Sequence, residues 1–362
     1  MASNKNQHYV PRCYLRPFTL DGAGIATSLF NIDLSRFIQN APVKRQCSAD
    51  YFYGSDLVIE QALQSPEGGY ATVLSEITQS RYLLSDGHRT VLRRFMLLQH
   101  LRTEACSRRS VESFVQMEAA TGSTILGFRP SMLEAVQMAM AAFVESSDIL
   151  DDLKVCLIRN RTSTPFVTSD DPAVMTNRWY FQNRRTTGES PGLHSSGIVF
   201  LFPLSPSIVC IAYDGDVYNV PHTGGWAEVR NERDVFALNQ HQFLNCSANI
   251  YFRDWSRRQC IEDGFARVSM NRPKSRFKTN YAIPDRIENG KQVYRTVNRE
   301  QAGNHDRALI HTQNVLPRPI TWPSQITLRT NGSTYATGTG AGYIRKGALI
   351  YHLGLKSQKE RA

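Results

Sequence analysis

Apolar residues recur at helical spacing in some stretches of the chain and in short continuous runs in others. Val91, Leu92, Phe95, Leu98 and Leu101 share one face of a 3.6-residue period, which predicts an amphipathic helix over 89–106. Ser131 with Glu134 forms a capping-box pattern, and Leu133, Val136, Met140 and Phe143 follow as a buried face, which predicts a helix over 131–145. Residues 49–84, entered through Tyr51-Phe52-Tyr53, read as helical with a break at Pro66, Gly68 and Gly69. Asn231 is a fitting cap for a further helix over 232–247.

The remaining apolar runs are short and β-rich. Residues 25–38 read as two strands joined at Asn31-Ile32-Asp33. Residues 154–159, 166–168 and 250–252 read as single strands. Residues 198–202 and 208–213 flank an expected turn at Pro203-Leu204-Ser205-Pro206. Residues 8–20, limited by Pro11 and Pro17, read as an extended or turn segment. Helices early and strands later predict an α+β fold, a helical N-terminal half packed on a mainly antiparallel sheet.

Near residue 265 the pattern changes. Arg267, Arg272, Lys274, Arg276 and Lys278 form a basic run, followed by Pro317, Pro319 and Pro323 and a Gly/Thr-rich stretch from Gly332. The expected organisation is a domain over 1–265 and an appended, partly irregular, basic C-terminal region over 266–362.

Composition narrows the class. The 362 residues are 41% hydrophobic and 20% charged, ordinary for a globular protein with a substantial core. No run approaches a membrane span, and the first residues lack an apolar signal-peptide core, so a cytoplasmic bacterial protein without membrane association is expected. Seven cysteines stand singly with no CxxC pair, which fits buried free thiols in a reducing compartment and excludes the usual zinc frameworks. The net charge of +10 favours a polyanionic partner, with RNA ahead of DNA. Walker, dinucleotide-binding, HExxH and GxSxG patterns are absent, and Gly338-Thr339-Gly340-Ala341-Gly342 lacks the lysine of a phosphate loop.

Polar residues cluster in a few segments: His8-Tyr9-Val10-Pro11-Arg12 with Tyr14-Leu15; Glu60 and Glu67-Gly68; Gln99 with Arg102-Thr103; Thr168-Ser169-Asp170-Asp171-Pro172; Phe202-Pro203-Leu204-Ser205-Pro206; and Asn239. In order and spacing these segments resemble the bacterial HYVPxxYL family, domain of unknown function 4238, over about residues 8–255. The resemblance implies no reaction. The chain departs from it at Cys13, where members usually carry an aromatic residue, and at Asp171, where many carry asparagine.

The residue chemistry suggests roles. His8 can exchange protons near neutral pH, or it can simply anchor the N-terminal segment to backbone. Arg12 can hold a phosphate oxygen. Asp170, at a strand end, can act as a general base, or it can cap the following turn. Glu67 is a further catalytic candidate, and Asp170, Asp171 and Glu67 are a candidate oxygen set for Mg²⁺. Gln99 and Arg102 lie one turn apart on a helix, and Arg102 can meet substrate or pair with Glu67 or Asp170. Asn239 can orient substrate. Cys13 near His8 is a weaker candidate nucleophile. Arg272, Lys274, Arg276 and Lys278, with Phe277 and Tyr281 nearby, can hold a nucleic-acid backbone.

The leading expectation is therefore a nucleic-acid-processing enzyme, a ribonuclease or other phosphodiesterase using His8 and Asp170, in a defence or toxin setting for which no motif exists. The alternatives are a non-catalytic module that binds nucleic acid or a partner, and a hydrolase of a small nucleotide or phosphorylated substrate.

Overall fold

A computed structural model describes residues 5–79, 82–121, 129–288, 291–338, 342–352 and 357–362. The middle of the Gly338–Gly342 run thus lies outside the described residues. The fold is α+β with mainly antiparallel sheets.

The helical layer follows the periodic pattern in part. The Asp86–Leu101 helix buries Leu92, Phe95, Met96 and Leu98, with Val91 and Leu101 at the edge of the same core. It stops at Arg102 rather than at 106, because Thr103 starts a second helix, Glu104–Thr121, by accepting the Cys106 N–H on its hydroxyl. The Met132–Glu145 helix carries the expected capping box at Ser131 and Glu134. Its buried residues are Ala135, Val136 and Met140, and Leu133, in the first turn, is exposed.

Two expectations for residues 49–84 are corrected. Ser48–Asp50 is a short strand, and the helix Val58–Ile77 passes through Pro66 without a break. A proline there removes one main-chain donor and crowds the preceding turn. Burial of Leu63, Tyr70, Val73, Leu74 and Ile77 outweighs that loss. Tyr70 stacks on Phe95 at 3.9 Å between ring centroids, which locks this helix to Asp86–Leu101.

Beneath the helices lie two sheets. In the five-stranded sheet the order is Trp226–Val229, Lys154–Asn160, Ile208–Tyr213, Val199–Ser205, Val174–Thr176, and only the first pair is parallel. The strand beginning at Val199 continues through Pro203 to Ser205, so the turn reduces to Pro206-Ser207. An irregularity in register between Pro203 and Ser205 accommodates the proline. In the four-stranded sheet Arg36–Pro42, Ala26–Asn31, Asn249–Phe252 and Thr168–Ser169 pair antiparallel in that order. The helix Glu232–Asn245, capped by Asn231 as expected, lies against these strands and is buried along most of its length.

The chain past 265 is more regular than its composition suggests. Lys291–Val297, Phe277–Glu288 and Leu309–Asn314 form a three-stranded antiparallel sheet in that order. This region also returns into the body of the protein. Ile326 is fully buried with Trp179 and Val217, and Arg345 is buried in an ion pair with Asp152 at 2.9 Å.

Candidate functional site

The N-terminal strand Asn6–His8 pairs antiparallel with Ser48–Asp50, which brings His8 under the helical layer. Three elements meet there. Arg102, at the end of the Asp86–Leu101 helix, is 1% exposed and commits all three guanidinium nitrogens. Nε donates to the Tyr53 hydroxyl at 2.8 Å, Nη1 to Glu67 Oε1 at 2.8 Å, and Nη2 to the main-chain oxygen of His8 at 2.8 Å. Tyr53 also donates its hydroxyl to that oxygen at 3.2 Å. Arg102 is thus a buried hub that fixes the His8 backbone and the Glu67 carboxylate. Of the two roles expected for it, Arg102 fills the ion pair with Glu67.

The His8 imidazole is partly buried, and its Nε2 is buried with no hydrogen-bond partner among the described residues. Burial and the charges of Arg12 and Arg102 lower its pKa, against a hydrogen bond to the Val43 backbone. The ring is therefore neutral at pH 7. Arg12 is exposed and makes no ion pair among the described residues. Glu60 and Glu67, seven residues apart on the unbroken helix, share one face, and the Glu60 pKa is raised by burial and by the Glu67 charge. Burial pushes the Cys13 thiol up to about 11, so it is protonated at neutral pH and ill-suited as a nucleophile.

Gln99, one turn before Arg102, is fully buried, and both its amide oxygen and its nitrogen lack a partner.

Asp170 and Asp171 serve other places. Asp170 receives three backbone N–H groups: Ser247 at 2.7 Å, Ala248 at 2.7 Å and Asn249 at 2.9 Å. It clamps the chain between the Glu232–Asn245 helix and the Asn249–Phe252 strand. Burial raises its pKa to about 6, and the three amides pull the other way. Asp171 accepts from Thr103 Oγ1 at 3.0 Å and from Arg109 Nη1 at 2.5 Å. Burial opposes its ionisation, but the Arg109 guanidinium dominates and holds the carboxyl below its ordinary value. The three carboxylates expected to share a metal ion are instead held apart, Glu67 by Arg102, Asp171 by Arg109 and Asp170 by backbone amides. Among the described residues no group of three or more His, Cys, Asp or Glu side chains is disposed to hold a metal ion.

Asn239 accepts from the Val167 N–H at 3.1 Å and donates to the Pro165 oxygen at 2.9 Å, so its amide extends strand-like pairing, and it also lines a cavity of about 380 Å³. The basic run divides. Arg272 turns inward and donates to the main-chain oxygens of Phe243 at 2.6 Å and Cys246 at 2.8 Å, at the end of the Glu232–Asn245 helix. Arg276 also turns inward and donates to Asn245 Oδ1 at 2.8 Å. Lys274 and Lys278 are exposed.

The polar segments of the sequence do converge, largely as structural ties. The hydroxyl of Tyr14 lies 2.6 Å from Thr168 Oγ1 and donates to the Pro203 oxygen at 2.7 Å, joining three of them at one point. Tyr53, Arg109 and His100 were not singled out by sequence. Tyr53 stood inside a tyrosine cluster that marked a helix entry. Nothing local identified the acidic partners of Arg102 and Arg109, which lie on either side of a helix boundary.

The family described as "Protein of unknown function (DUF4238)" matches residues 6–256. No curated protein and no solved structure matches the chain.

Proposed function

The chain belongs to the DUF4238 family, whose description states no activity, and on the geometry of the His8 site we propose that it cleaves RNA by a histidine-led mechanism that needs no bound metal ion. The observation that carries the reading is the His8 ring itself: a neutral imidazole whose Nε2 is buried without a partner among the described residues, fixed through its backbone by Arg102 beside the exposed Arg12, which makes no ion pair among the described residues. The reading requires that an entering RNA strand uncover that nitrogen.

In this reading His8 Nε2 takes the proton of a ribose 2′-hydroxyl, and the freed oxygen attacks the adjacent phosphorus. Arg12 stabilises the charge that develops on the non-bridging oxygens. The leaving 5′-oxygen receives a proton from Glu60, whose raised pKa favours its acid form. The products are a 2′,3′-cyclic phosphate and a free 5′-hydroxyl. The need for a 2′-hydroxyl selects RNA over DNA. Glu67 and Arg102 position the two reacting groups. Exposed Lys274 and Lys278 supply backbone contacts further along the strand.

No helix among the described residues is long and apolar enough to cross a membrane. All seven cysteines are free thiols, which supports placement in the cytoplasm.

The test is incubation of the full chain with matched RNA and DNA in excess chelator, beside His8→Ala. Cleavage of RNA alone, leaving cyclic-phosphate ends and lost in the variant, is expected. A requirement for divalent metal, equal turnover by the variant, or cleavage of DNA would overturn it. Salt-sensitive RNA binding without turnover would favour the binding module, to which the three backbone amides on Asp170 lend weight.

A further inference from the structure

A second polar cluster lies where the Glu104–Thr121 helix, the end of the Glu232–Asn245 helix and the Phe277–Glu288 strand come together. A cavity of about 240 Å³ opens there, with Arg109, Ser110, Asp171, Asn245 and Arg276 on its polar side. A neighbouring cavity of about 190 Å³ shares Arg109, Asn245 and Arg276 and adds Arg108 and Arg272. Arg109 and Arg276 therefore stand where the two spaces meet.

The charges do not balance. Arg109 is answered by Asp171 at 2.5 Å. Arg276 makes a single hydrogen bond, to the neutral amide oxygen of Asn245, and no ion pair among the described residues. His100, on the cavity wall, is neutral and adds no charge of either sign: its Nδ1 is turned to the Ala173 main-chain oxygen at 3.0 Å and burial lowers its pKa to about 4. Burial and the Arg109 cation also hold the Arg276 pKa below its ordinary range, the direction an added anion would reverse. Across the two cavities the guanidinium groups of Arg108, Arg109, Arg272 and Arg276 face the carboxylates of Asp171 and Glu112, which leaves an excess of partly buried positive charge beside an open space. Guanidinium forks of this kind match phosphate oxygens.

The rest of the lining is largely apolar and includes Val174, Met175, Phe277, Val315 and Leu316. A ligand that fills the cavity needs an anionic end and a flat apolar end.

We propose that this cavity is a binding site for a nucleoside monophosphate, with the phosphate between Arg109 and Arg276 and the base against Phe277 and Leu316. The site does not depend on His8 chemistry, and its ligand is a small molecule rather than a strand of RNA.

The test is calorimetric titration of the full chain with AMP, CMP, adenosine and inorganic phosphate. Binding of the monophosphates is expected, with adenosine and phosphate each at least tenfold weaker. Arg276→Gln is expected to weaken AMP binding tenfold or more, whereas Lys274→Ala leaves it unchanged. Ser110→Asp, which keeps both arginines and adds a negative charge to the wall, covers the case in which the Arg276 variant fails to fold, and it is expected to abolish binding. No heat with any monophosphate up to about 10 mM, adenosine or phosphate as tight as AMP, or undiminished binding by a well-folded Arg276→Gln or Ser110→Asp would overturn the proposal. Loss of RNA cleavage in His8→Ala with AMP binding intact would separate this site from the one above.

Discussion

The Arg102 guanidinium donates to the main-chain oxygen of His8 at 2.8 Å across 94 residues of sequence. This bond, with those to Tyr53 and Glu67, means that the N-terminal strand depends on the end of a distant helix for its position.

Removing that hub should loosen the strand. Arg102→Met keeps the buried stem but loses three hydrogen bonds, and a destabilisation of about 3 kcal/mol is expected at ~1 kcal/mol net per bond. Urea denaturation measures it, and a midpoint unchanged from the wild type would mean the network contributes nothing to the fold.

The His8 site implies an acid-shifted pH profile. His8 must be neutral to accept a proton, and its pKa lies below the ordinary 6.5. Glu60 must be protonated to donate, and its pKa lies above the ordinary 4.5. The rate of RNA cleavage should rise through the first value, fall beyond the second and peak on the acid side of neutrality. A peak above pH 7.5 would contradict these roles.

His241 makes the folded state sensitive to acid. It is 1% exposed, both ring nitrogens lack partners, and burial lowers its pKa to about 3. The unfolded chain takes up this proton near 6.5 and the native chain does not, so stability is full above that pH and falls as pH drops toward the folded value. The slope from one such group is ~1.4 kcal/mol per pH unit. His241→Phe, which keeps a ring against Trp322, should remove one proton's worth of that slope in chemical denaturation at pH 4–6. An unaltered slope would show that His241 takes up its proton equally in the native and unfolded chains, so that its native pKa is not depressed.

Gln99 is a buried amide without partners, and an unpaired buried polar group costs about 1–3 kcal/mol. Gln99→Leu should therefore raise the unfolding free energy by about 1–2 kcal/mol and leave RNA cleavage unchanged. A destabilised variant would point to an ordered water or a ligand on that amide.

Lys274 and Lys278 extend into solvent, so replacing both with alanine should leave thermal unfolding unchanged. If both contact phosphates, the slope of log affinity against log salt for single-stranded RNA should fall by about 1.4, at ~0.7 per contact. Equal slopes would remove these lysines from the interface.

Legibility in the sequence followed the range of the interaction. The Asp86–Leu101 and Met132–Glu145 helices, the Ala26–Asn31 and Arg36–Pro42 hairpin and the Asn231 cap were readable because spacing and capping are local. The passage of a helix through Pro66 was not, because packing of Tyr70 and its neighbours decides it. The Trp226–Val229 strand went unseen because its pairing is parallel, with a strand some seventy positions earlier. Among site residues, the Arg102–Glu67 pair was foreseen as one of two partners. The role of Asp170 was decided by amides 77 to 79 positions away, which no local pattern reveals.

The grip of Arg272 on Phe243 and Cys246 has a consequence for any shortened form of the chain. The matched segment ends at residue 256, yet two carbonyls closing one of its most deeply buried helices are answered by a side chain sixteen positions beyond that limit. The matched segment and the region after it are thus joined at a helix terminus. A fragment cut at the family boundary would leave both carbonyls without their cation, so the boundary of resemblance is not a boundary of folding.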